Sequence, residues 1–170
     1  TDQVDHYIQV LADKTGSLIA VSARYGAMLT NAGARTEQIV EEFGEKIGVA
    51  FQLADDVIDI VSDGASSGKT QGTDLREGVP TLPTILLNRA AEAGDESARQ
   101  VRTLIEADLS SDDALAAAVS ALAAHPVTQE AWQIAYNWAD RAIAAIAPLP
   151  DSTAKAALES FAHAVVHREG

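Results

Sequence analysis

"TEQIVEEFGEKIGVAFQLADDVIDIV", residues 36–61, is the longest uninterrupted pattern in the chain. Ile39, Val40, Phe43, Ile47, Ala50, Phe51, Leu53, Ala54, Val57 and Ile58 recur at the three- and four-residue spacing of one wide helical face. Thr36 reads as the N-cap, and Glu37, Glu41 and Glu42 lie near the positive end of the helix dipole. So wide an apolar face predicts a helix near the centre of the fold, running to about Val61.

The same period continues on both sides. Val4, Ile8, Leu11, Leu18 and Val21 predict a helical stretch to about Asn31, broken near Thr15-Gly16 and stopped by Asn31-Ala32-Gly33. Pro80 and Pro83 suit the entry of a helix over 82–93. Further helices are predicted near 95–108, 111–124, 127–147 and 151–167, with His125-Pro126 and Pro148-Leu149-Pro150 as breaks. Residues 63–79, rich in Gly, Ser and Asp, read as the one long irregular loop. With no alternating strand pattern and no repeat, the expected fold is an all-α helical bundle, a single unit over residues 1–170.

Composition narrows the function. The 170 residues suffice for a real core, and 47% hydrophobic content with 5% aromatics describes Ala-rich, close-packed helices. Twelve basic residues against 25 acidic ones leave a net charge of −13, which repels nucleic-acid backbones. A phosphorylated ligand would need cations supplied locally. The absence of Cys removes disulfides and thiolate ligands and points to a reducing cytoplasm. No run approaches the roughly 18 apolar residues of a spanning helix, and no signal peptide is visible.

The chemistry concentrates around the end of the central helix. Gly64-Ala65-Ser66-Ser67-Gly68-Lys69-Thr70 resembles a phosphate-binding loop but has three residues between its glycines instead of four, and follows an acidic helix instead of a strand. It is a near miss to an ATP-binding loop. Asp55 and Asp59, four apart, point from one helix face, and Asp56 lies about 100° around it. Carboxylates among apolar residues are costly unless something cationic neutralises them. Oxygen-only ligation favours Mg2+, which shares its shell with water and phosphate; a solvated acidic patch is the competing reading. Lys69 and Arg76 follow in the loop, and Lys14-Thr15 sits at the suspected helix break, where exposed N–H groups and an ammonium suit an anion. Together these residues suggest a clamp in which carboxylates hold the metal, the metal holds phosphate, and lysine holds phosphate.

At this point the chain resembles the C-terminal half of the trans-polyprenyl diphosphate synthases. The likeness runs through Lys14-Thr15-Gly16-Ser17-Leu18, Phe51-Gln52-Leu53-Ala54-Asp55-Asp56-Val57-Ile58-Asp59, Gly68-Lys69-Thr70-Gln71-Gly72-Thr73-Asp74-Leu75 and Thr81-Leu82-Pro83. The resemblance implies an isoprenoid-synthase fold and the condensation of an allylic diphosphate with isopentenyl diphosphate. It implies Asp55 as a direct Mg2+ ligand supported by Asp56 and Asp59. It also implies Lys14, Thr15, Gln52 and Lys69 as contacts to the allylic diphosphate, and Phe51 as an aromatic lining the isopentenyl diphosphate site.

Two departures stand out. The family's first aspartate-rich motif, with its paired arginines, is missing: Asp2 and Asp5 do not form it, and Asp112-Asp113 lacks the third carboxylate and the arginines. Val79 stands where many members have Lys. The expectation is therefore a fragment, inactive alone, of a homo-oligomeric transferase. The alternative is a non-catalytic small subunit of a heteromeric synthase, and a class I terpene cyclase relative ranks third. His125 is expected at a helix terminus, and Trp132, Tyr136 and Trp138 in packing.

Overall fold

The computed structural model describes residues 2–62 and 71–167. Among them there is no strand, and the helices are α1 (Gln3–Leu11), α2 (Ser17–Leu29), α3 (Ala34–Val61), α4 (Thr73–Arg76), α5 (Leu82–Glu92), α6 (Glu96–Ile105), α7 (Asp112–Ala124), α8 (Pro126–Ile146) and α9 (Thr153–Val166). A π-helical segment, Ala12–Gly16, joins α1 to α2. The all-α expectation holds. No helix among the described residues is long and apolar enough to cross a membrane.

Local chemistry explains most boundaries. Asn31 (φ 52°) and Gly33 (φ 89°) both take the left-handed conformation that ends α2. Gly33 then accepts the N–H of Glu37, so α3 starts two residues before Thr36, which lies inside its first turn and not at the cap. Asp2, Asp95, Ser111 and Ser152 cap their helices through side-chain oxygens. Within the stretch read as loop, α4 is a single helical turn. Gly72 makes it possible at φ 74°, where a Cβ would stand 2.4 Å from Val119 Cγ2.

The chain divides into two compact units, Thr1–Ala54 with Ile134–Arg168, and Asp55–Gln133; α3 and α8 contribute to both. In the first, α2 and α3 touch backbone to backbone. A Cβ on Gly44 would lie 2.8 Å from Ala20 Cα, and one on Gly48 would lie 2.8 Å from Gly16 Cα. Small residues continue along α8, where Ala135, Ala139 and Ala142 form a buried stripe that ends at the large, buried Ile146. The Ala-rich composition thus buys close helix approach in a core with few aromatics. Lys155 on α9 donates to the Ala147 and Leu149 carbonyls just beyond α8. The opposite face of α2 remains open: Leu18 is 69% exposed, Tyr25 60% and Leu29 85%.

In the second unit α5 packs on α6, α6 on α7, and α4 on α7. Its core includes Val57, Ile60, Leu75, Leu82, Leu86, Leu115 and Leu122, all buried.

Candidate active site

The end of α3 carries five of the expected site residues. Phe51, Gln52, Asp55, Asp56 and Asp59 are each half-buried, interleaved with Leu53, Ala54, Val57 and Ile60, which are at most 1% exposed. Carboxylates on so apolar a helix need hydrogen-bond donors, and two obtain them from the segment that follows. Asp56 Oδ2 accepts the backbone N–H of Leu82, the first residue of α5, at 3.1 Å. Asp59 Oδ2 accepts the N–H of Asp74 in α4 at 3.4 Å. Both carboxylates therefore face the positive end of a helical turn.

The segment is also tied to α3 through the backbone. Gly72 N–H donates to the Asp59 carbonyl at 2.9 Å, and Gln71 Nε2 donates to the Ile60 carbonyl. Sequence reasoning missed these positioning residues, although Gly72-Thr73-Asp74 and the Thr81-Leu82-Pro83-Thr84 capping pattern were legible signals. Arg76, which follows Lys69 in the same Gly-rich stretch, faces α7 and the residues before it: its Nε donates to the Leu109 carbonyl at 3.2 Å and its Nη2 pairs with Asp112 at 2.6 Å. Asp112 is thus an anchor for the turn after α4.

Lys14 and Thr15 lie in the π-helical segment, whose register is marked by the Ser17 N–H bonding back to the Ala12 carbonyl. Gly16 is buried in this segment, where a Cβ would lie 3.0 Å from the Glu45 carbonyl oxygen. The Lys14 side chain is exposed and Thr15 is half-buried. The break read from the sequence is therefore one wide turn within a continuous helix. Lys69, with the rest of residues 63–70, lies outside the described residues.

Among the described residues no three His, Asp or Glu side chains form a ready-made metal cage. The aspartates present hard oxygen donors on a fixed helix, a set that fits Mg2+ completed by water and phosphate. His125 behaves as a helix terminus: its Nδ1 accepts the Val127 N–H at 3.3 Å, and its Nε2 lies 3.0 Å from Ser97 Oγ. Ser97 hydrogen-bonds Asp95 at 2.7 Å. The imidazole accepts at Nδ1, so its Nε2–H donates to Ser97 and it cannot take that hydroxyl's proton. The cluster is a capping network.

The described residues thus present an Asp-Asp-x-x-Asp sequence at the end of α3 and a lysine–threonine pair in a π turn, and likeness to known proteins supplies the class. The family model for polyprenyl synthetase matches residues 1–122, and the chain belongs to that family. Nonaprenyl diphosphate synthase of Mycobacterium tuberculosis is 38% identical over 171 residues, 99% of this chain and 50% of that protein. Octaprenyl diphosphate synthase of Escherichia coli is 35% identical over 165 residues, 97% of this chain and 50% of that protein. Geranylgeranyl pyrophosphate synthase of Corynebacterium glutamicum, solved with calcium and isoprenyl diphosphate, superposes with a TM-score of 0.86 at 36% identity. That match covers 100% of this chain and 52% of the solved one. The chain spans about half the length of the curated relatives it matches.

Proposed function

We propose that this chain carries the metal and allylic-diphosphate side of a chain-elongating prenyltransferase. One observation supports this most directly: Asp55, Asp56 and Asp59 sit together at the end of α3, interleaved with the buried apolar Leu53, Ala54, Val57 and Ile60, with Asp56 and Asp59 seated on backbone N–H groups. In this reading Asp55 is the direct Mg2+ ligand and Asp56 and Asp59 support it. Lys14, Thr15, Gln52 and Lys69 bind the allylic diphosphate, and Phe51 lines the isopentenyl diphosphate site. Bound Mg2+ neutralises diphosphate charge and so eases departure of the leaving group.

The lysines contribute where negative charge grows as the allylic C–O bond breaks, an interaction stronger in the transition state than in the bound substrate. The alkene of isopentenyl diphosphate then forms the new C–C bond, and the departing diphosphate accepts the proton released. No side-chain nucleophile is needed. The sequence holds no first aspartate-rich motif, so the chain alone is expected to bind diphosphate without turning substrate over. A cytoplasmic setting suits the cysteine-free, acidic composition. The exposed apolar face of α2 suits association with a second copy, which light scattering at tens of micromolar would detect or refute.

The decisive experiment is calorimetry with Mg2+ and inorganic pyrophosphate. The expected result is weak Mg2+ binding alone, strengthened by pyrophosphate and lost in Asp55→Ala. Tight Mg2+ binding without pyrophosphate, or an unaffected Asp55→Ala, overturns the reading.

A further inference from the structure

We infer that Thr84 is a positioning residue for Asp56, acting through the peptide plane between Thr81 and Leu82. The inference rests on the proposed role of the α3 carboxylates and concerns how one of them is aimed. Thr84 Oγ1 accepts the Thr81 N–H at 3.0 Å and donates to the Thr81 carbonyl at 2.9 Å. The same carbonyl accepts the Ile85 N–H at 3.0 Å, the first bond of α5. Because the Thr81 carbonyl and the Leu82 N–H belong to one rigid peptide plane, fixing the first fixes the direction of the second. That N–H is the donor that holds Asp56 Oδ2 at 3.1 Å.

The plane has little freedom to reorient. Thr81 is 4% exposed in an extended conformation (φ −124°, ψ 167°), and Leu82 is fully buried. Pro83 locks the next φ and has no N–H to replace the Leu82 donor. Thr84, although it has no role in the proposed chemistry, thus sets which way one supporting carboxylate points. The hydroxyl acts from a separate helix, 28 residues beyond Asp56 in the sequence by subtraction of their numbers.

The test compares Thr84→Val, which keeps the shape and removes both hydrogen bonds, with Thr84→Ser, which keeps the hydroxyl. Mg2+ is titrated into each full chain at fixed inorganic pyrophosphate, and hydrogen exchange is read at the Leu82 amide. Thr84→Val is expected to weaken Mg2+ binding about three- to tenfold, the range of one lost hydrogen bond, and to speed Leu82 exchange. Thr84→Ser should restore both. Val101→Ala on α6, a buried apolar truncation that removes none of these hydrogen bonds, serves as a control that lowers stability, and it should leave Mg2+ binding unchanged. Thr84→Ala, read in the same titration, covers the case in which valine prevents folding.

Unchanged Mg2+ binding in the hydroxyl-free variant, or equal weakening in Val101→Ala, overturns the inference while leaving the proposed function standing. A wild-type chain that shows no pyrophosphate-dependent Mg2+ binding overturns both.

Discussion

The π turn holding Lys14 and Thr15 and the carboxylate end of α3 are secured by opposite means. Around the π turn the support is steric: Gly16 and Gly48 bring two helix backbones together, and Lys14 extends from that platform into solvent. At the end of α3 the helix is regular and the support is polar, supplied by N–H groups of α4 and α5. The difference follows from the charges. A lysine on a flexible stem can keep its ammonium hydrated and needs only a fixed starting point. A half-buried carboxylate on a short stem must be met by donors where it stands.

The steric side should break most severely. Gly48→Val forces its side chain into the Gly16 backbone and is expected to cost about 3 kcal/mol or more, seen as a large fall in Tm. Unchanged Tm would mean the helices do not approach so closely. Gly72→Ala comes next, combining a left-handed φ with a clash on Val119, for about 2–3 kcal/mol together. Adding Val119→Ala should relieve the clash and leave the backbone strain, so partial rescue in a double-mutant cycle is the diagnostic result.

On the polar side, Asp56→Ala leaves the buried Leu82 N–H without this acceptor and is expected to lower stability by about 1–2 kcal/mol. Asp56→Asn keeps an oxygen acceptor and should recover most of the stability while losing the carboxylate's contribution to Mg2+ binding. If both variants behave alike in each assay, the division between capping and metal support is wrong. Arg24→Ala removes exposed pairs to Glu37 and Glu41 on the steric side and should shift stability by no more than about 0.5 kcal/mol.

The smallest effect concerns acid. The Ser97 hydroxyl and the Ala98 N–H hold the Asp95 carboxyl below its ordinary value. A lowered folded-state pKa gives stability that is present above the ordinary carboxylate range and lost as pH falls through the lower folded value. Asp95→Asn should therefore reduce stability slightly at neutral pH and flatten this part of the acid-side decline, as read from Tm against pH. An unchanged slope would remove Asp95 from the account.

Much of this fold was legible because helical period is a local property. The wide face of 39–58 gave α3 its length, and the prolines and capping residues gave α5 to α9 within a few residues. Thr36 misled because Ser, Thr, Asn and Asp fit several positions near a helix start, and Gly33 already supplied the first carbonyl. The turn α4 was hidden because four residues are too few to show a period. The role of Arg76 could not be read from its Gly-rich stretch, because its partners Leu109 and Asp112 lie 33 and 36 residues away.

The sequence by itself determined the longer helices, the facing of Asp55 and Asp59, and the family to which the ordered motifs belong. These depend on spacing within one element, which the chain states directly. Only the tertiary structure decided that Asp56 is held by Leu82, 26 residues on, that Gly72 fits beneath Val119, and that Arg76 is an anchor. Such bonds depend on which elements meet after folding. A carboxylate can be satisfied by a metal, a lysine, water or a distant backbone N–H, and its own neighbours in sequence do not say which one arrives.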